Sequence, residues 1–158
     1  MYVETSVISY LTNRPALDVI TAGHQATTYQ WWEHQRTNYD LVISQLVVKE
    51  AGAGYPVAAA RRLATLGGIP LLDANRPGVE SLAEALIVNG ALPIKAFVDA
   101  SHIAVCAVAD IKILLMWNFE HIANGFMMKK IQSVRTENGF DCPQLLTPLQ
   151  LLGADSVD

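Results

Sequence analysis

The chain has 158 residues, a formal charge of −4 at pH 7, and a composition that is 51% hydrophobic but only 16% charged. This length and composition exclude a disordered protein and allow one domain with a substantial core, so we expect residues 1–158 to form a single domain. The net negative charge argues against nucleic-acid binding through an overall basic surface, although a local basic strip or an acidic cation site is compatible with it.

Predicted strands and helices alternate along the chain. The predicted strands cover residues 2–4, 39–43, 69–72, 113–116 and 145–146. The predicted helices run from a cap at Ser6 to residue 11, then over 17–37, 45–51 behind an N-cap at Ser44, 57–66, 76–89 and 97–109, with helical sequence after the fourth strand to about residue 138. This alternation favours a mainly parallel sheet with helices on both faces, a three-layer α/β/α sandwich.

Ligands in such folds bind beyond the carboxyl ends of the strands. Three acids and an amide with apolar neighbours are candidates for a site there: Glu4, Glu50, Asp99 and Asn118. The helix around Asp99 is apolar nearly all round, which predicts burial, and a buried carboxylate needs a partner or a cation. The pattern alone also allows simpler roles, which are a helix cap at Asp99, a solvated carboxylate at Glu50, an edge carboxylate at Glu4 and a turn at Asn118.

Taken together, the four residues suggest a metal site. Oxygen ligands from separate segments, without paired cysteines or histidines, are the set that Mg²⁺ or Mn²⁺ prefers. Clustered carboxylates also raise one another's pKa unless a cation compensates them. A metal in such a site activates water and neutralises charge on a phosphodiester, so the pattern is compatible with phosphodiester hydrolysis.

Four segments carry a family resemblance: YVETSVISYL, VISQLVVKE, VDASHIAVCAVA and LLMWNFEHIAN. In order and spacing they resemble the PIN-domain family, and more narrowly the VapC-type toxins of bacterial toxin–antitoxin pairs, over roughly residues 2–148. The resemblance implies an α/β/α sandwich that hydrolyses RNA with Mg²⁺ or Mn²⁺. It also implies a small antitoxin protein as partner and a homodimer.

The resemblance assigns the metal-binding and catalytic positions to Glu4, Glu50, Asp99 and Asn118. It gives Ser6 a supporting role in the metal shell. Glu4 is one methylene longer than the family's usual aspartate, and Asn118 lacks the charge of the usual fourth acid, which Glu120 could restore. These departures leave an alternative open: a catalytically weakened or inactive PIN-like module that binds RNA or protein.

Four further residues have both a functional and a simpler interpretation. His102 lies three residues after Asp99, and a hydrogen-bonded core histidine is favoured there over a general base. Arg14, Lys129 and Lys130 are candidate RNA contacts, whereas the simpler interpretation of these cations is a solvated surface.

Localisation is predicted from the absence of targeting signals. No apolar run reaches the roughly 18–20 residues that span a bilayer, and no secretory signal is apparent at the start. The two cysteines, Cys106 and Cys142, lack metal-ligand spacing, which favours a reducing environment. We therefore expect a cytoplasmic protein without membrane association.

Overall fold

The computed structural model describes residues 1–117, 125–141 and 143–154. They form a mixed α/β fold with parallel strands, which confirms the predicted fold class at that level. In the described part of the chain, no helix is both long and apolar enough to cross a membrane. The strands are short, and they are β1 (Tyr2–Val3), β2 (Ile43–Ser44), β3 (Leu71–Leu72), β4 (Ile113–Leu115) and β5 (Gln144–Leu146).

The strand pairs among the described residues are all parallel. One sheet has the order β1-β4-β5, with Val3 opposite Leu115, and a second pairs β2 with β3. A parallel bridge between Tyr2 and Val42 joins the two sheets, since the Val3 N–H donates to the Val42 carbonyl at 3.0 Å. The strands therefore follow one another in space as β3-β2-β1-β4-β5, and β1 lies at the centre.

Helices connect and cover these strands. The first helix packs against the next three, the eighth packs against the second, and the fifth packs against the sixth and seventh. The helices are α1 (Thr5–Thr12), α2 (Val19–His34), α3 (Gln45–Ala51), α4 (Pro56–Leu66), α5 (Val79–Val88), α6 (Phe97–Val108), α7 (Gly125–Glu137) and α8 (Pro148–Ala154).

The most deeply buried side chains come from the central strands and from the helices that pack on them. Tyr2, Val3, Leu114 and Leu115 are fully buried, so both strands at the centre of the sheet contribute to the core. Burial on this scale supplies the main stabilisation of the fold, at about 25 cal/mol per Å² of apolar surface. It also fixes the position of the residue that follows β1, which is Glu4.

The sequence prediction placed the cap of α1 wrongly and missed one helix. The N-cap of α1 is Glu4 rather than Ser6, because the Glu4 carboxylate accepts the Ser6 N–H and α1 therefore begins one residue before Ser6. The helix α8 was missed. Its signal is a Thr-Pro pair, since Pro148 suits the first helical position and the Thr147 hydroxyl accepts from the Gln150 N–H at 3.2 Å.

Candidate metal centre

Two of the predicted metal ligands meet at the carboxyl ends of β1 and β2. Glu4 directly follows β1, and Glu50 lies in α3, which directly follows β2. His102, from the middle of α6, completes the group, and one potential ligand atom from each residue lies within 4.8 Å of the others. We call Glu4, Glu50 and His102 the acidic cluster.

Glu4 is held by the first turn of its own helix. Its side chain is only 5% exposed, and its Oε2 accepts hydrogen bonds from the Ser6 backbone N–H at 2.9 Å and from the Ser6 hydroxyl. The Ser6 Oγ in turn accepts from the Trp117 N–H at 2.8 Å. Ser6 therefore connects the carboxylate after β1 to the backbone that follows β4.

Glu50 is held from two other directions. Its Oε2 accepts from the Thr5 hydroxyl at 2.7 Å and lies 2.8 Å from Nε2 of His102. The Glu50 side chain is 36% exposed, whereas His102 is fully buried. The half-solvated carboxylate is thus oriented by a histidine that cannot move without disturbing the core.

A row of buried hydrogen bonds continues behind His102. Its Nδ1 lies 2.7 Å from the Tyr2 hydroxyl, which lies 2.7 Å from the Ser44 hydroxyl. The Ser44 Oγ accepts from the Leu46 N–H. In this row Nε2–H of His102 donates to Glu50, because an ionised carboxylate can only accept.

The two carboxyl groups have opposite pKa shifts. Burial raises the pKa of Glu4, and this outweighs the charge of His102 and the hydrogen bonds from Ser6, which lower it. Burial also raises the pKa of Glu50, but the hydrogen bond and charge from His102, together with the Thr5 hydroxyl, outweigh it and lower that pKa overall. Glu50 is therefore readily ionised, whereas ionised Glu4 lacks full compensation within the protein.

The donor set of the cluster fits a divalent cation. The hydrogen bonds just described occupy Oε2 of each glutamate, and within the described chain none of them involves Oε1 of Glu4 or Glu50. Two carboxylate oxygens are suitable ligands for Mg²⁺ or Mn²⁺, which bind few protein groups and keep several waters. Both nitrogens of His102 already have hydrogen-bond partners, so its role is to orient Glu50.

Asp99 lies near the cluster in sequence but is not one of its three members. It is a buried residue in the first turn of α6, one turn before His102. The N-cap of α6 is Ala96, so Asp99 does not cap the helix as an N-cap residue, although an acid in the first turn is favoured by the helix dipole. Asn118 and Glu120 fall outside the described residues.

The candidate RNA contacts lie on two separate parts of the fold. Arg14 is exposed just beyond α1, and Lys129 is exposed on α7. Lys130 is half-buried, and its Nζ lies 3.3 Å from where a Cβ on Gly90 would be. That position is just beyond the carboxyl end of α5, where the helix dipole stabilises a cation. The position of Lys130 is therefore compatible with a stabilising role in the fold.

The sequence analysis did not predict that uncharged and buried residues make the hydrogen bonds that orient the acidic cluster. His102 is a buried, hydrogen-bonded histidine as predicted, but its partner is a candidate metal ligand rather than the core. Thr5 and Tyr2 were not predicted to contribute. The available signal in the sequence was weak. A buried histidine in an otherwise apolar helix must find polar partners, and Tyr2 belongs to the strand that ends just before Glu4.

No model of a known protein family matches the chain, and no curated protein matches it in sequence.

Proposed function

We propose that the chain is a metal-dependent ribonuclease of the PIN type, and that it is the toxin component of a type II toxin–antitoxin pair. The observation that carries this proposal is the convergence of Glu4 and Glu50 at the carboxyl ends of adjacent parallel strands. These are two of the four positions at which the resemblance expects metal ligands. In this proposal Asp99 and Asn118 complete the metal site, and Glu120 supports it.

The proposal includes the three-layer α/β/α arrangement of that family. Its support is the all-parallel strand order with β1 at the centre, and helices that connect successive strands. Parallel neighbours joined by helical crossovers are the pattern in which sheets are covered on both faces.

The residues of the cluster have distinct roles in the proposed reaction. Glu4 and Glu50 would hold Mg²⁺ or Mn²⁺ through the oxygens that make none of the hydrogen bonds with Ser6, Thr5 and His102. A divalent cation bound there supplies Lewis-acid activation of water and charge neutralisation at the phosphodiester. Thr5 and His102 fix the orientation of Glu50, and Ser6 fixes that of Glu4, so neither carboxylate has to be ordered when substrate binds.

The proposed partners follow from the same resemblance. They are an RNA substrate, a small antitoxin protein and a second copy of the chain in a homodimer. The mean hydropathy of +0.25 and the exposed apolar side chains of Leu17, Val19 and Ile20 are compatible with a protein partner, and they do not distinguish an antitoxin from a second copy.

Cleavage of a panel of structured and single-stranded RNAs tests the proposal. Wild type is expected to cleave at least one RNA with Mn²⁺ or Mg²⁺ and to lose cleavage in EDTA. Glu50→Gln and Asp99→Asn are expected to lower the rate by about 100-fold or more, while the matched control Asp110→Asn, a surface acid paired with Lys112, keeps it. Metal-independent cleavage, or equal rates in all variants, would refute the metal-dependent mechanism.

One observation favours a second candidate, a PIN-like module that binds RNA or protein without cleaving it. The imidazole of His102 and the hydroxyls of Thr5 and Ser6 already satisfy one oxygen of each carboxylate, so the cluster is partly compensated without a cation. This candidate predicts no heat of binding with millimolar Mg²⁺ or Mn²⁺. It also predicts that the double variant Glu4→Asp, Asn118→Asp gains cleavage that the wild type lacks.

A further inference from the structure

A cavity lies at the carboxyl end of α1. About 530 Å³ in volume, it is lined by Asn13, Arg14, Tyr55, Ala58 and Arg61. These residues come from the segment after α1 and from the first half of α4, two helices that pack against each other. We call this cavity the arginine cleft.

The two arginines of the cleft lack counter-ions in the described structure. No ion pair among the described residues involves Arg14 or Arg61, and both residues are exposed. The neighbouring Arg62 differs, because its guanidinium donates to the carbonyls of Ala51 and Ala53 and so holds α4 against the end of α3. Two unpaired guanidinium groups at one cleft repel each other unless an anion lies between them.

The backbone at the cleft is held in place by polar contacts. The Gln25 side chain donates to the Arg14 carbonyl at 2.9 Å and accepts from the Ala16 N–H at 2.8 Å, which fixes the segment after α1. On the other side, Tyr55 is the N-cap residue of α4 but makes no side-chain cap hydrogen bond, and Pro56 follows it. The positive end of the α4 dipole is therefore uncapped beside Tyr55, where an anion would be stabilised.

We propose that the arginine cleft binds the phosphate backbone of single-stranded RNA, with the 68%-exposed ring of Tyr55 stacking on a base. Guanidinium groups match phosphate geometry, and an exposed aromatic ring beside them is the combination that single-strand binders use. This inference rests on the proposed ribonuclease function, since it names the path of the substrate.

The position of the cleft relative to the acidic cluster supports RNA over an unrelated anion. Glu4 caps the amino end of α1, Asn13 caps its carboxyl end, and the helix between them has eight residues. An eight-residue helix spans about 12 Å, a distance that a few nucleotides of an extended strand cover. A strand held at Arg14 and Arg61 can therefore reach the acidic cluster.

Binding measured without metal tests the inference separately from catalysis. A short fluorescein-labelled single-stranded RNA is titrated with full-length wild type in EDTA, and its fluorescence anisotropy is followed over a range of salt concentrations. The double variant Arg14→Ala, Arg61→Ala is expected to bind at least about tenfold more weakly at low salt. Each lost phosphate contact lowers the slope of log K against log salt by about 0.7, so the slope should fall by about 1.4.

Two further variants separate stacking from general charge. Tyr55→Ala is expected to weaken binding by about tenfold with little change in the salt slope. The control Arg76→Ala, Lys95→Ala removes the same charge from exposed positions outside the cleft and should leave the affinity within about twofold.

The outcomes distinguish this inference from the proposed function. If the cleft variants bind RNA as wild type does, or if wild type binds no RNA, the cleft assignment is wrong. An acidic peptide of alternating Asp and Glu is tested in the same way. If it binds wild type more tightly than RNA does, and if the double variant Arg14→Ala, Arg61→Ala no longer binds it, the cleft is a protein-binding site instead. If wild type binds RNA through the cleft but cleaves none with any metal, the cleft stands and the ribonuclease proposal fails.

Discussion

The imidazole of His102 lies 2.8 Å from the carboxylate of Glu50, although the two residues are 52 positions apart and come from different helices. The histidine is fully buried, and its other ring nitrogen contacts Tyr2, so its orientation is set by the sheet. Glu50 is consequently a half-exposed carboxylate with a fixed direction. A carboxylate that is both partly exposed and fixed in direction is suited to bind a cation at the surface of the protein.

Removing the Tyr2 hydroxyl tests this row of hydrogen bonds. Tyr2→Phe keeps the buried ring but removes one hydrogen-bond partner from the Ser44 hydroxyl and the partner of Nδ1 of His102, so the free energy of unfolding should fall by about 1–2 kcal/mol. Urea denaturation in EDTA measures the change. Tyr29→Phe, at a position that is 60% exposed, is the control and should stay within about 0.5 kcal/mol of wild type. Equal effects of the two substitutions would show that the row contributes nothing.

His102 is expected to act on metal binding through Glu50. His102→Phe keeps a buried ring but removes both nitrogens, so the Glu50 carboxylate loses its fixed partner. Loss of such supporting contacts typically weakens metal affinity by about 10–100-fold, and we expect Mn²⁺ affinity to fall within that range. Calorimetry on the folded variant measures it. Unchanged affinity with a normal unfolding transition would leave His102 a core residue only.

Ser6 is expected to support both Glu4 and the segment after β4. Ser6→Ala removes a donor to Glu4 and leaves the Trp117 N–H without its acceptor, which should lower the free energy of unfolding by about 1–3 kcal/mol. The matched control is Ser101→Ala, whose hydroxyl donates to the carbonyl of Phe97 one turn earlier in the same helix. A similar small loss for both serines in urea denaturation would contradict the assigned role.

The pH dependence of stability should separate the two glutamates. Because the folded protein raises the pKa of Glu4 above its ordinary 4.5, protonation favours the folded state. The stability that wild type has relative to Glu4→Gln is therefore greatest below pH 4.5 and falls as the pH rises through the folded pKa. Urea denaturation of both proteins in EDTA across this range measures the difference.

Glu50 should behave in the opposite way. Its pKa is lowered in the folded protein, so its contribution is present above the ordinary 4.5 and is lost as the pH falls through the folded value. Wild type should consequently exceed Glu50→Gln in stability at neutral pH and lose that advantage in acid. Parallel pH profiles for the two glutamine variants would show that the two sites are not electrostatically different.

Much of the fold was predictable because hydrophobic patterns and chain breaks are local. The parallel strands, the N-cap at Ser44 and the bounds of α3 were all predicted from such patterns. Strand ends were less accurate, since the residues 39–43 predicted as a strand yield only Ile43–Ser44. Where a strand ends depends on which neighbour donates the next hydrogen bond, and that is a tertiary property.

The site was predictable only in part, for a similar reason. Glu4 was assigned to the site because apolar flanks and a strand end mark it in the sequence, and Glu50 was assigned to it by the family resemblance. His102 was assigned to the core because its partner is 52 positions away, and no local pattern reports such a contact. Tyr2 and Thr5 have uncharged side chains in ordinary strand and helix positions, so only the fold reveals their contacts with the acidic cluster.

The claim that Glu4 and Glu50 form a cation site is tested most directly by Mn²⁺ binding to the metal-free protein. Isothermal calorimetry should show saturable binding to wild type and to the surface control Asp110→Asn, and binding at least about tenfold weaker in Glu4→Gln and Glu50→Gln. It should also show proton release near the folded pKa of Glu4, because the cation displaces the proton that burial favours. Mn²⁺ affinity that is the same in all four proteins, or no binding to wild type at millimolar Mn²⁺, would contradict the account.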